Sequence, residues 1–172
     1  MRRTPHPSNM TSSWRDDLIP IIGSYNGEDV FPLTNVILPA WLLLFFAPKW
    51  KYTHTIAWVP IFLNAALYLI SLVSIIQNNR FNGSFNSLDG IVQLFSDPNV
   101  VFVGWIHYLS FDLFVARAIS LDALQHRTSY IQYVVLITPC LFLCLMAGPV
   151  GLLLYALVKL FVLQSKTKEK EA

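Results

Sequence analysis

Charge is scarce in this chain: Lys, Arg, Asp and Glu make up 13% of its 172 residues, against about 25% in ordinary globular proteins. With 55% hydrophobic residues and a mean hydropathy of +0.52, that scarcity excludes a soluble domain and leaves a small integral membrane protein. The formal net charge of +2 sits in the ends and loops, and the tail Lys166-Thr167-Lys168-Glu169-Lys170-Glu171 is mixed in sign, so no nucleic-acid partner is implied. Cysteine is limited to Cys140 and Cys144. Four residues apart in an apolar segment, they share a helix face and read as small buried hydrophobes; a disulfide or metal site would need a second pair or a histidine cluster. Histidine is equally sparse. His6, His54, His107 and His126 cannot make the multi-histidine cluster of a membrane di-iron oxygenase or desaturase. Gly-x-Gly-x-x-Gly, a phosphate-cradling glycine loop, Gly-x-Ser-x-Gly and His-Glu-x-x-His are all missing. Neither a metal nor a cofactor is expected. Residues 1–17 are polar, with Arg2, Arg3 and Arg15, and hold no apolar core, so neither a cleavable secretory signal nor a plastid transit segment is predicted.

What the chain has in abundance is long apolar runs. A bilayer core needs about 20 predominantly apolar residues in a helix, and four runs approach or exceed that: 30–47, 56–76, 100–119 and 130–163. They predict an all-α integral membrane protein, a four-helix transmembrane bundle crossing the bilayer several times. A polar segment (1–29) precedes it and a charged tail (164–172) follows. Leu18-Ile19-Pro20-Ile21-Ile22 is a brief apolar patch, and Gly23 to Asp29, with Asn26-Gly27, reads as a loop. Pro48-Lys49-Trp50-Lys51-Tyr52 stops the first span with cations and interfacial aromatics. In the polar stretch from Gln77 to Pro98, Leu88, Ile91, Val92 and Phe95 keep helical spacing, which predicts a short amphipathic helix before the third span.

The last run is too long for a simple crossing: some 33 residues would extend about 50 Å, against a hydrocarbon core of about 30 Å. Pro139 and Gly148-Pro149-Val150-Gly151 interrupt it. Either one long kinked helix leaves the membrane or two short segments meet at the Gly-Pro-Val-Gly break; a kinked or broken helix, and so four spans, is the expectation. Orientation signals then conflict. The sequons at Asn9 and Asn82 fall on one side, compatible with a luminal face. That same side collects Arg2, Arg3, Arg15, Arg80 and the lysine tail, against Lys49, Lys51 and Arg127 on the other, so the cations point the opposite way.

Three ionisable residues lie in or near the third span: His107, Asp112 and Arg117. Each costs a few kcal/mol near a bilayer centre, and such residues as a rule face protein or water and mark function. At about 100° per residue, Asp112 lies about 140° around the helix from His107 and Arg117 about 280°, so no single stripe holds all three. A structural account stands beside the functional one: His107 bonding across helices, Asp112 pairing with a cation, Arg117 reaching the headgroups. On the second span Asn64, Tyr68 and Ser71 follow i, i+4, i+7 spacing and give one polar face, suited either to helix packing or to a polar pocket. If the protein is a catalyst, the groups at hand suit proton transfer: a carboxyl, an imidazole and a fixed cation.

The run Trp105-Ile106-His107-x-x-x-x-Asp112-Leu113-Phe114-x-Ala116-Arg117 follows Ile91-x-x-Leu94-Phe95-Ser96. With Ala47-Pro48-Lys49 and Gly148-Pro149-Val150-Gly151, it closely resembles the abscisic-acid-deficient-four family over about residues 30–163. These are small membrane proteins named for a plant plastid member needed to make neoxanthin from violaxanthin, with relatives of unknown function outside plants. The resemblance implies a redox-neutral isomerisation that opens an epoxide to an allenic alcohol, which needs one group to protonate oxygen and one to take a proton from carbon. On that footing His107 and Asp112 are the candidate acid and base and Arg117 positions or neutralises Asp112. Asn35, Asn64, Tyr68, Trp105 and Tyr108 are candidate substrate-binding residues. The expected partners are membrane lipid and a lipophilic small molecule, a carotenoid or terpenoid epoxide. Two alternatives stay open: a non-catalytic membrane protein that binds a lipophile or assists an enzyme, and an isomerase or cyclase of epoxidised terpenoids in specialised metabolism.

Overall fold

The computed structural model describes residues 19–163. The polar N-terminal stretch with the Asn9 sequon, and the charged tail from Gln164, lie outside the described residues. Four helical stretches are long and apolar enough to cross a membrane: Gly27–Phe46, Thr53–Gln77, Pro98–Gln125 and Tyr130–Ala147, with a shorter apolar helix over Pro149–Val162. The architecture is that of an all-α membrane protein.

The first departure from the sequence reading comes before the first span. In place of a plain loop, β1 (Pro20–Ile22) and β2 (Tyr25–Asn26) form an antiparallel hairpin. Gly23, at φ +58°, makes the tight reversal without a Cβ penalty. Helix α1 (Gly27–Val30) follows directly, with the Asn26 backbone amide donating to the Asp29 carboxylate at 3.0 Å. The chain then tightens into a 3-10 segment, Phe31–Ile37, before α2 (Leu38–Phe46). Pro39 explains the change of pitch. It brings no N–H for the carbonyl four residues back and its ring crowds that carbonyl, whereas the first turn of a new helix accepts it.

Helices α3 (Thr53–Ile56) and α4 (Trp58–Gln77) make the second long stretch, and Ser71 satisfies its hydroxyl on its own helix by donating to the Leu67 carbonyl at 2.7 Å. The expected short amphipathic helix is α5 (Leu88–Leu94), capped by the Ser87 hydroxyl, which accepts from the Gly90 amide. Its Gly90 and Leu94 are buried, whereas Leu88 and Val92 are exposed. Helix α6 (Pro98–Gln125) is 28 residues long, about 42 Å at 1.5 Å per residue.

The last apolar run is broken, as its proline and glycine demand. Ser129 caps α7 (Tyr130–Gln132), accepting from the Gln132 amide while its own amide donates to the Gln132 side chain. A π-helical stretch, Tyr133–Ile137, leads into α8 (Thr138–Ala147); Pro139 withholds one ladder donor, and the slipped register absorbs the loss. At Gly148 (φ +44°, ψ −98°) the chain reverses, and α9 (Pro149–Val158) begins with proline at its first position. It then ends in a second π-helical stretch, Lys159–Leu163. A Cβ on Gly151 would run into the Cys140 carbonyl and the Cys144 amide, so α9 lies backbone-to-backbone on α8. Small residues at helical spacing, Cys140, Cys144 and Gly148, form that crossing, as in membrane helix pairs that approach closely.

The chain divides into two compact units, Met1–Thr34 with Ala66–Ile106 and Asn35–Ala65 with His107–Ala172. In the first, Ile19, Ile75, Leu94, Val100 and Val103 form one apolar cluster and Ile21, Val30, Leu67, Phe102 and Ile106 another. In the second, Trp41, Leu44, Leu113, Ala116, Tyr133 and Leu141 belong to a single core. Tyr133 anchors it by donating to the Leu44 carbonyl at 3.1 Å and sharing a 2.7 Å hydrogen bond with Ser120.

Candidate functional site

The α8–α9 reversal leaves a backbone acceptor without its usual donor. Residue 149 should supply the N–H for the Leu145 carbonyl, but it is proline. The Tyr108 hydroxyl, from α6, donates to that carbonyl at 3.3 Å. One turn further along α6 stands Asp112, half-buried. Its carboxyl lies against Gly148: a Cβ there would be 3.0 Å from Oδ1 and 3.7 Å from the Tyr108 ring. Glycine at 148 therefore serves twice, allowing the left-handed backbone and leaving room for the carboxyl. Asp112 Oδ2 is buried and has no hydrogen-bond partner among the described residues. A buried acceptor in that condition is costly.

The other two members of the sequence-derived trio are held elsewhere. His107 is exposed and stacks on Phe111 at 4.6 Å between ring centroids, with 22° between planes. Arg117 donates from Nε to the His54 carbonyl at 2.8 Å, and its guanidinium lies 4.6 Å over the Trp58 ring. His54 approaches the Pro48 carbonyl through Nε2 at 3.1 Å, leaving Nδ1 buried without a partner among the described residues. The helical angles account for the separation: side chains five residues apart point about 140° from one another. Among the described residues no ion pair joins Arg117 to Asp112.

The candidate binding residues also separate. Asn35 is exposed. Asn64 is 1% exposed, with Nδ2 lacking a partner among the described residues. Tyr68 is half-buried against the two apolar clusters of the first unit. Trp105 faces Phe31 at 6.3 Å between ring centroids, 24° from parallel. With Gly27, Glu28, Phe102 and Val101 these rings line an apolar groove of about 400 Å³. Among the described residues no three His, Cys, Asp or Glu side chains converge as metal ligands do.

A second polar cluster was not singled out in the sequence. Near the C-terminal end of α6, the Asp122 carboxylate accepts from the Tyr155 hydroxyl at 2.6 Å and pairs with the Lys159 ammonium at 2.6 Å. An aspartate and a lysine within otherwise apolar helices were the available signal, but they are 37 positions apart and nothing local ties them.

No solved structure matches this chain. Among curated proteins it is 29% identical over 137 residues to Protein ABA DEFICIENT 4, chloroplastic, of Arabidopsis thaliana, covering 75% of this chain and 59% of the relative. It therefore spans less than two thirds of the relative's length. Residues 30–155, which include Tyr108, Asp112, Arg117 and the Gly148 reversal, match the family described as ABA DEFICIENT 4-like. The chain belongs to that family.

Proposed function

We propose that the protein is a multi-pass membrane enzyme related to neoxanthin synthesis, an isomerase that opens a carotenoid or related terpenoid epoxide without net redox change. Family membership supports the neoxanthin relation, and the observation that carries the chemistry is the buried Oδ2 of Asp112, without a hydrogen-bond partner among the described residues, beside Tyr108. As a carboxylic acid, Asp112 gives its proton to the epoxide oxygen while a C–O bond breaks. The resulting carboxylate takes a proton from the neighbouring carbon, whose C–H electrons form the new double bond. One proton leaves and one returns, so the product is an isomeric alcohol and the acid is regenerated. Tyr108, fixed on the Leu145 carbonyl, holds its ring beside Asp112 at the Gly148 turn. Arg117 and His107 stand on other faces of the helix and have packing roles in this scheme.

The test is the pigment and lipid profile of cells supplied with violaxanthin and expressing either the wild type or Asp112→Asn at equal membrane levels. An allenic product from the wild type alone supports the isomerase; turnover surviving Asp112→Asn removes it. The amide is nearly isosteric, so thermal stability should stay within about 2–4 °C, the equivalent of about 1 kcal/mol. A second reading, lipophile binding without catalysis, is favoured by the aromatic groove at Phe31, Phe102 and Trp105, and a pigment that copurifies unchanged would support it.

A further inference from the structure

We infer that α8 and α9 form a re-entrant hairpin: the chain enters the membrane after Thr128, turns at Gly148 beside Asp112, and leaves by the face it entered. This rests on the membrane-crossing reading and goes beyond it, since a four-span chain would put its C-terminus on the opposite face.

Three levels along α6 carry the inference. Tyr133 bonds Ser120, and twelve residues on Leu145 bonds Tyr108, twelve residues back along α6. Equal intervals at 1.5 Å per residue mean that the π-helical stretch and α8 run antiparallel beside α6. After the turn the order inverts: Gly148 lies at Asp112, whereas Tyr155 and then Lys159 lie at Asp122. The second leg has therefore climbed back towards the end of α6 from which the first descended. Asp112 is at the middle of this 28-residue helix, so the reversal occurs at depth. Irregular backbone at that depth is tolerated where protein covers it, and Tyr108 and Asp112 supply that cover.

The hairpin also removes the conflict between the orientation signals. Lys49 donates to the Thr128 carbonyl at 2.9 Å, so the turn after α2 shares a membrane face with the loop after α6. Lys49, Lys51, Arg127 and Lys159 then stand together at that face, against Arg80 alone at the far ends of α4 and α6 among the described residues. The cation-rich face is the untranslocated one, and Asn82 falls on the translocated side, where its sequon can be used.

Single cysteines distinguish the arrangements: Asn82→Cys, Gln125→Cys, or a cysteine appended after Ala172, each labelled with a membrane-impermeant maleimide in bacterial spheroplasts before and after permeabilisation. The unaltered protein is the background control, since Cys140 and Cys144 are fully buried. The expected result is labelling at 82 from outside, and at 125 and the appended position only after permeabilisation. If the appended cysteine labels together with 82 and against 125, the hairpin is overturned. If 82 and 125 label from the same side, the crossing by α6 fails and the hairpin with it. If all three invert, the hairpin stands and the assignment of the cation-rich face is overturned.

Discussion

Gly151→Ala tests the reversal most directly. The added Cβ meets the Cys140 carbonyl and the Cys144 amide and sulfur of α8. Two of those atoms are helix backbone and cannot rotate aside, so α9 has to lift away by about an ångström, a displacement typical of overpacked sites that cost about 1–3 kcal/mol. The lift also loosens Tyr155 and Lys159 from Asp122 further along α9. At about 2–4 °C per kcal/mol for a chain of this size, the midpoint of thermal aggregation in detergent should fall by about 2–12 °C. Size-exclusion recovery after graded heating measures it. A midpoint unchanged within a degree would refute the close α8–α9 approach, and with it the physical basis of the hairpin.

Gly148→Ala combines a left-handed backbone with a Cβ at 3.0 Å from Asp112 Oδ1, so it should cost more than the roughly 1–3 kcal/mol of backbone strain alone. Gly23→Ala, at φ +58° with nothing within 4 Å, isolates that strain, and the difference between the two melting shifts reads the carboxyl's crowding. Arg117→Lys keeps the charge but loses the Nε bond to His54 and the planar stacking on Trp58; a loss of about 1–2 kcal/mol is expected from melting, with catalysis reduced no further than the lowered folded fraction. Lys159→Met should cost under about 1 kcal/mol, because the pair with Asp122 is about one third exposed, and the difference from wild type should shrink in high salt.

The sequence by itself determined where the helices are. Apolar length and spacing placed the long stretches and the short helix at Leu88–Leu94, because a helix in lipid is specified residue by residue through its own backbone bonds. Local chemistry also marked the interruptions at Pro139 and Gly148, since a missing N–H or a φ beyond the reach of other residues acts within one turn. The hairpin at Pro20–Asn26 escaped because only four of its residues pair and they lack the alternation that signals a strand.

Only the tertiary structure decided which way the chain goes after Gly148 and what the ionisable side chains meet. A glycine-proline break is compatible with a kink or a full reversal; the choice falls to Gly151 packing on Cys140 and Cys144 and to Tyr155 and Lys159 reaching Asp122. Those contacts join residues 33 and 37 positions apart in the case of Asp122, beyond what periodicity encodes. In the same way the sequence named Asp112, His107 and Arg117 for being charged in an apolar helix, and their angles forbade a shared face. What sits opposite each of them, the Gly148 turn, Phe111 and the His54 carbonyl with Trp58, is set by the packing of separate helices, which no local pattern records.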